Sequence, residues 1–287
     1  MGLFDQVLLT VDYDRTLTGP DSVVPQKNLE AIRYFMENGG AFTLNTGRSL
    51  PYAREVLANV PRNAPALVYN GAVAVDADGS IQFCQTIDLP VEQTMKEVCQ
   101  AFPDMNVVVQ GLEAHHHFQP EDYWKNYVPK PGSIHRWAEP GTDYGPFIKF
   151  NIYGGTEGDG IYRLFTGTEE EISRMDQAVA WLEAHYGEKL VVFRSGARLL
   201  NVHAKGVSKL TGARKLQELL GKKILVCVGD EGNDLPMLEG ADYAFCPADG
   251  NLAHRFPNVC ACGEGAVAEV IYEKIPEILK GLSYGNV

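Results

Sequence analysis

Two carboxylates stand two residues apart in the segment Asp12-Tyr13-Asp14, directly after the apolar run at residues 7–11. Residues two apart in a strand point the same way, so Asp12 and Asp14 could face one site, unless Asp14 already lies in the following turn. Carboxylates at one spot repel each other unless a cation neutralises them or one keeps its proton. The pair therefore indicates a Mg²⁺ site or an acid/base pair, with polar caps at a strand end as the non-catalytic alternative.

Three further polar clusters could take part in such chemistry. Asn45-Thr46-Gly47-Arg48 offers a hydroxyl and backbone N–H groups to an anion, although Thr-Gly is also a common turn. Gly206-Val207-Ser208-Lys209 places a lysine at a predicted helix start, where it opposes the helix dipole unless it is exposed or faces an anion. The acids in Gly229-Asp230-Glu231-Gly232-Asn233-Asp234 fit a metal site or a polar turn equally well.

The segments around these clusters alternate between strand and helix. Apolar runs of four or five residues at 7–11, 41–44, 66–69 and 224–228 are typical of parallel strands buried on both faces. The alternation predicts an α/β fold with a doubly wound, Rossmann-like parallel sheet. Ligands bind at the carboxyl edge of such a sheet, and the four clusters are expected there.

The pattern changes in the middle of the chain. Residues 147–153 alternate like a half-exposed antiparallel strand, and residues 168–186 form an amphipathic helical pattern with three glutamates in its first turn. The strand–helix alternation resumes from about Leu199. We therefore predict an α/β core formed by residues 1–84 and 197–287, and an inserted α+β domain at residues 85–196. An insertion of roughly 110 residues is too long for an ordinary loop.

Two features of the inserted segment have a chemical and a structural interpretation. His115-His116-His117 invites a metal interpretation, but companion ligands are not evident, and a solvated loop is favoured. Tyr123, Trp124 and Tyr127 could stack on a sugar ring, but aromatic residues here are favoured as part of the module's own core.

Composition restricts the partners and the compartment. Lys and Arg number 25 against 37 Asp and Glu, a net charge of −12 that should repel nucleic acid and anionic lipid. No apolar run approaches the ~18–20 residues of a membrane helix, and the first residues lack a signal-peptide pattern. The six cysteines favour free thiols in a reducing compartment, so a cytoplasmic location is expected. The sequence leaves the oligomeric state open.

The ordered set of motifs resembles the haloacid dehalogenase (HAD) superfamily and, within it, the Cof-like class IIB sugar phosphatases. The resemblance covers the core, a C2B-type cap inserted between the second and third motifs, and the core again. It extends to Tyr69-Asn70-Gly71-Ala72, Asp234-Leu235-Pro236-Met237-Leu238 and Gly265-Ala266-Val267-Ala268. It implies a Mg²⁺-dependent phosphoric monoester hydrolase acting on small phosphorylated metabolites such as sugar phosphates.

The resemblance also implies a role for individual residues. Asp12 would be the nucleophile that forms an aspartyl phosphate, and Asp14 the general acid and then the general base. Mg²⁺ would be held by the Asp12 side chain, the Asp14 backbone carbonyl and Asp230, with Asp234 in support. The implied phosphate-binding residues are Tyr13, Thr46, Gly47, Lys209 and Asn233, and the implied substrate contacts are Asn70, Arg194 and Ser195.

Arg15 and Leu210 depart from the family pattern, which usually has glycine at both positions. Arg15 is strained if its position needs a positive φ, and otherwise adds a positive charge near the phosphate. Leu210 favours a helix and is benign. Lys205 is a neighbour of Lys209, but the family lysine stands three residues after the glycine, as Lys209 does after Gly206.

Two alternatives to a phosphatase remain open from the sequence. A phosphohexomutase resembling phosphomannomutase shares this fold and nucleophile, and would transfer the phosphoryl group to a second sugar hydroxyl instead of water. A sugar-phosphate-binding regulator without turnover is the alternative from another class. The regulator is disfavoured because none of the implied catalytic positions is missing.

Overall fold

The structure is a computed structural model that describes residues 2–118, 134–154 and 166–284. The chain divides into two compact units. The first unit is formed by residues 1–48, 52–83 and 208–287, and the second by residues 49–51 and 84–207. The second unit thus continues to residue 207, whereas the sequence predicted an insertion that ends at residue 196.

The strands, in chain order, are β1 (Val7–Val11), β2 (Ala41–Leu44), β3 (Ala66–Val68), β4 (Val73–Val75), β5 (Ile81–Cys84), β6 (Asn106–Gln110), β7 (His115–His117), β8 (His135–Trp137), β9 (Lys149–Tyr153), β10 (Leu190–Arg194), β11 (Leu199–Ala204), β12 (Ile224–Val228), β13 (Tyr243–Pro247) and β14 (Asn258–Val259). The α-helices are α1 (Gln26–Glu37), α2 (Leu50–Asn59), α3 (Val91–Ala101), α4 (Glu169–Tyr186), α5 (Lys209–Leu219), α6 (Leu235–Gly240), α7 (Ala266–Glu269) and α8 (Ile275–Tyr284). In the described part of the chain, none of these helices is long and apolar enough to cross a membrane.

The first unit is built on a parallel five-stranded sheet with the order β14-β13-β12-β1-β2. Every residue of β1, β2 and β12 is buried, as expected for strands covered on both faces. This sheet confirms the predicted α/β class. A second sheet has the order β3-β4-β5, and Gly79, in the turn between β4 and β5, takes a φ of +87°.

The second unit contains a six-stranded sheet with the order β10-β11-β9-β6-β7-β8. Neighbouring strands are antiparallel except β7 and β8, which are parallel. Strand β11 pairs with β9 and β10, so the segment after Leu199 belongs to this sheet and not to the resumed α/β alternation. Helix α4 begins at the N-cap Thr168, whose side chain accepts a hydrogen bond from the backbone N–H of Glu171.

The interpretation of residues 115–117 as a solvated loop is wrong. The three histidines form β7, and at most 4% of each remains exposed. His115 Nε2 lies 2.7 Å from Ser49 Oγ, and His117 Nε2 lies 2.8 Å from His135 Nδ1. Burial lowers the pKa of both His115 and His117 to about 3, so these rings are neutral at neutral pH. Tyr123, Trp124 and Tyr127 lie outside the described residues.

Candidate active site at the carboxyl edge of the parallel sheet

The register of the parallel sheet brings three strand ends to one edge. Val11 at the end of β1 is paired with Val228 of β12 and with Leu44 of β2. The backbone N–H of Asp12 donates to the carbonyl of Val228 at 3.0 Å, and that of Asn45 donates to Val11 at 2.9 Å. The polar clusters that follow these strands therefore leave the sheet side by side, as the sequence predicted.

A buried lysine joins two of these clusters. Lys209 Nζ lies 2.5 Å from Asp12 Oδ1 and 2.6 Å from Asp234 Oδ1. The Lys209 side chain is fully buried, and Asp12 and Asp234 are also buried. Lys209 is thus the lysine that contacts the carboxylates, whereas the side chain of Lys205 is exposed. Charged hydrogen bonds of this length are strong and fix the lysine in one position.

The start of α5 is held in three ways that deliver Lys209 to the cluster. Ser208 is the N-cap, and its side chain forms a capping box with Thr211. The Asn45 side chain donates a 2.9 Å hydrogen bond to the backbone carbonyl of Lys209. Gly212 packs against Gly71 so closely that a Cβ at Gly212 would lie 2.6 Å from the Gly71 Cα.

The remaining carboxylates are also oriented by hydrogen bonds. Asp234 Oδ2 accepts from the backbone N–H groups of Asp230 and Glu231, both at 3.1 Å. Asp230 Oδ1 accepts from the hydroxyl of Thr16 at 2.7 Å. Thr16, which the sequence analysis did not select, therefore connects the turn after β1 to the turn after β12.

The cluster holds more negative than positive charge. Burial raises the pKa of Asp12 well above its usual range, and the nearby Asp234 and Asp230 oppose the lowering effect of Lys209. Burial, with Asp234, likewise raises the pKa of Asp230 to about 7. Burial alone would lower the pKa of Lys209, but Asp12 and Asp234 outweigh it and raise that pKa, so the ammonium stays charged.

The donor set fits a divalent cation. Asp12, Asp230 and Asp234 each offer a carboxylate oxygen, and these oxygens lie within 4.8 Å of one another. The pKa values of Asp12 and Asp230 are raised, and a divalent cation bound beside these carboxylates would favour their ionised forms. Oxygen ligands of this kind suit Mg²⁺.

Asp14 does not share the environment of Asp12. It lies in the turn after β1, with half of its side chain exposed, and both of its oxygens accept hydrogen bonds from Arg48. Arg15, the next residue, takes a φ of +59°. Position 15, where the family that the sequence resembles usually has glycine, therefore has a left-handed backbone here, and Arg15 adopts it at a cost of the order of 1 kcal/mol.

Asn70, which follows the end of β3, contacts two of the polar clusters. Asn233 Nδ2 donates to Asn70 Oδ1 at 3.2 Å, and the backbone N–H of Asn70 donates to the carbonyl of Thr46 at 3.0 Å. A Cβ at Gly47 would lie 2.8 Å from Asn70 Oδ1, so glycine lets the Asn70 side chain approach this backbone closely. Thr46, Gly47, Asn70 and Asn233 thus lie together in the first unit.

Three successive residues at this strand end have positive φ angles, namely Tyr69 at +53°, Asn70 at +54° and Gly71 at +86°. Such a conformation is costly for a residue such as tyrosine, and strained residues of this kind cluster at functional sites. In the sequence, this strand end is marked by the motif Tyr69-Asn70-Gly71-Ala72.

A sequence profile of the haloacid dehalogenase-like hydrolases matches residues 9–253, which is most of the chain. The chain belongs to this family. The matched range begins in β1 and continues past β13, so it includes all four members of the carboxylate and lysine cluster.

Relatives and solved structures resemble this HAD-like hydrolase along most of its length. The phosphoglycolate phosphatase of Thermoplasma volcanium is 27% identical over 250 residues, which are 84% of this chain and 85% of that protein. The 5-amino-6-(5-phospho-D-ribitylamino)uracil phosphatase of Bacillus subtilis is 23% identical over 253 residues, 82% of this chain and 85% of that protein. A haloacid dehalogenase-like hydrolase from B. subtilis has a TM-score of 0.72 at 17% identity, covering 93% and 99% of the two chains. A HAD phosphatase from Bacteroides thetaiotaomicron has a TM-score of 0.72 at 20% identity, covering 96% of each chain. These two structures show the shared fold.

Arg194 and Ser195 lie in the second unit of the HAD-like hydrolase. Arg194 Nη2 lies 2.5 Å from Asp176 Oδ1 on α4, and Ser195 Oγ accepts from Asn201 Nδ2 at 2.5 Å. Their role in substrate binding stays a prediction. Sequence reasoning did not select Asn45 or Arg48 individually, although both belong to a cluster that it selected.

Proposed function

We propose that this HAD-like hydrolase is a Mg²⁺-dependent phosphatase that hydrolyses small phosphomonoesters, sugar phosphates among them. The observation that carries the proposal is the buried Lys209 between Asp12 and Asp234, with Asp230 beside them at the carboxyl edge of the sheet. Two relatives that match most of the chain carry the names of phosphatases, which supports the same reaction class.

In the proposed reaction, an Asp12 oxygen attacks phosphorus and the bond from phosphorus to the ester oxygen breaks. The leaving oxygen takes a proton from Asp14, which gives the alcohol and an aspartyl phosphate. A water molecule then gives its proton to Asp14 and attacks the phosphorus. The bond from phosphorus to Asp12 breaks, which releases inorganic phosphate and restores both carboxyl groups.

Lys209 offsets the negative charge that would otherwise keep a carboxylate and a phosphate dianion apart. Thr46, Gly47, Asn233 and the backbone at Tyr13 are the further proposed contacts of the phosphoryl oxygens. Mg²⁺ would be held by the side chains of Asp12 and Asp230 and the backbone carbonyl of Asp14, and would supply charge neutralisation when bound. Asp234 supports this set through Lys209 and the backbone of Asp230.

The proposed partner is a small phosphorylated metabolite in the cytoplasm, with no role for nucleic acid or membrane. All six cysteines are free, which agrees with a reducing compartment. Specificity would depend on residues beyond the phosphate cluster, since the fold does not fix the substrate.

The test is phosphate release from a panel of sugar phosphates and other phosphomonoesters, with Mg²⁺ and with a chelator. We expect release that requires Mg²⁺ and that disappears in Asp12→Asn and Asp230→Asn. Release that persists in the chelator would contradict the metal requirement, and full activity of Asp12→Asn would contradict the nucleophile. Transfer to a second sugar hydroxyl would indicate a mutase, and binding without turnover would indicate a regulator.

A further inference from the structure

The guanidinium of Arg48 grips Asp14 with two parallel hydrogen bonds. Arg48 Nε donates to Asp14 Oδ2 at 2.9 Å, and Arg48 Nη2 donates to Asp14 Oδ1 at 2.6 Å. A two-point contact between a planar fork and a carboxylate fixes both the position and the rotation of the carboxylate. The hydrogen bonds that Arg48 donates to Asp14 also raise the pKa of Arg48, so the guanidinium keeps its charge.

Arg48 is itself held in place by its surroundings. Its backbone N–H donates to Thr46 Oγ1 at 3.2 Å, and its backbone carbonyl accepts from the N–H of Tyr69 at 2.9 Å. Its guanidinium lies over the ring of Tyr13, 5.1 Å from the ring centre. Arg48 therefore connects the residues that follow β2 and β3 to the turn that follows β1.

Stability alone is a weak explanation for this contact. About half of the Asp14 side chain and a third of the Arg48 side chain are exposed, and ion pairs in such surroundings contribute little to folding. Asp14 also lies in a turn beside a left-handed residue, where its side chain would otherwise sample several rotamers. Proton transfer, in contrast, depends strongly on where the acid is held.

We propose that Arg48 is the positioning residue for Asp14, holding its carboxyl group where it exchanges a proton with the leaving-group oxygen. This inference rests on the proposed function, in which Asp14 is the acid and base. Arg48 would act through Asp14, since the two nitrogens that form its fork are both engaged by that carboxylate.

The test compares two esters that differ in their need for a proton. Para-nitrophenyl phosphate has a leaving group that departs without protonation, whereas an alkyl phosphate requires the acid. The alkyl probe is chosen from the alkyl phosphates of the panel as the one that the unmodified enzyme hydrolyses fastest. The ratio kcat/KM reports the steps up to departure of the leaving group, so it isolates the acid role of Asp14.

We expect Arg48→Met to lower kcat/KM for the alkyl phosphate on the order of 100-fold, and for the aryl phosphate less than about threefold. Arg48→Lys should have a kcat/KM for the alkyl phosphate between those of the unmodified enzyme and Arg48→Met, because an ammonium keeps the charge but cannot form the two-point contact. Arg255→Met is the matched control, since Arg255 Nη2 forms an exposed 2.7 Å pair with Glu239 in the same unit and should change neither ester.

Asp14→Asn separates this inference from the function on which it rests. It should show the same selective loss for the alkyl ester, and adding Arg48→Met to it should cause little further loss. Asp14→Asn could lower kcat/KM selectively for the alkyl ester while Arg48→Met lowers kcat/KM equally for both esters or for neither. That result would overturn the positioning role of Arg48 and leave the proposed function standing. If Asp14→Asn is not selective, the acid role of Asp14 fails, and the role of Arg48 fails with it.

Discussion

The side-chain amide of Asn45 donates a 2.9 Å hydrogen bond to the backbone carbonyl of Lys209. Both residues are buried, and the bond joins the end of β2 to the first residue of α5. The position of the lysine ammonium therefore depends on a residue 164 positions away in the sequence that has no part in the proposed chemistry.

Asn45→Ala should lower both activity and stability. The backbone carbonyl of Lys209 would lose a buried partner, at a cost of about 1–3 kcal/mol in unfolding free energy, and the ammonium would lose its fixed position. Asn63→Ala is the control, because the Asn63 side chain similarly bridges the backbone of Gly40 and Phe42 at the other end of β2. Phosphatase assays and urea denaturation should show a loss of stability in both, smaller in Asn63→Ala because Asn63 is exposed, with kcat lowered only in Asn45→Ala. Equal kcat values would contradict this positioning.

Lys209→Met should abolish most activity, whereas Lys205→Met should not. Removing the ammonium leaves the buried carboxylates without their cation, at a cost on the order of 3–5 kcal/mol in stability. The rate should fall at least 10²–10³-fold, as when one stabilising group of a transition state is lost. Lys205 is exposed, so its removal should leave kcat/KM and the urea midpoint unchanged. A larger loss in Lys205→Met than in Lys209→Met would contradict the assignment.

Gly212→Ala should destabilise the protein although it replaces a glycine inside a helix. That substitution usually stabilises by about 1 kcal/mol, but here the new Cβ would lie 2.6 Å from the backbone of Gly71. We expect a loss of about 1–3 kcal/mol and a lower kcat, because α5 must shift and carry Lys209 with it. Gly281→Ala in α8 is the control, since its Cβ would meet no described atom within 4 Å. Thermal unfolding should show a lower Tm for Gly212→Ala and a higher Tm for Gly281→Ala.

Lys149→Met should stabilise the protein at neutral pH. Burial lowers the pKa of Lys149 from 10.5 to about 7, so the unfolded chain binds a proton that the folded chain does not. Stability is therefore lost as the pH falls from about 10.5 towards about 7. The variant should gain about 2–5 kcal/mol at pH near 7, and the gain should shrink towards pH near 10. Urea denaturation at both pH values checks this, with exposed Lys96→Met as the control. A gain independent of pH would contradict the account.

The sequence was sufficient to predict the parallel sheet and the place of the site. The apolar runs before Asp12 and Gly229 are continuous because both faces of those strands are covered, and that pattern needs no knowledge of distant contacts. Once the strands are parallel, their register forces the polar residues after them to one edge.

Other features depend on contacts that no local pattern contains. The bonds from Asn45 to Lys209 and from Arg48 to Asp14 connect residues whose neighbours in sequence give no hint of the partner. The run His115–His117 has no apolar residue, so its burial in β7 follows from the strands on either side and not from its own composition. Strand β11 stands immediately before the segment that leads to α5. Its place before a helix made β11 look like the first strand of the resumed core, so the sequence predicted that the core resumes at residue 197.

The most direct test of the proposed reaction is to look for a phosphoryl group on Asp12 during turnover. The enzyme would be mixed with Mg²⁺ and a phosphoryl-labelled substrate, quenched in acid within a single turnover, digested and mapped by mass spectrometry. We expect label on the peptide that contains Asp12, formed before inorganic phosphate appears, and no label in Asp12→Asn. Phosphate released without any labelled protein, or label on another residue, would contradict the aspartyl-phosphate mechanism.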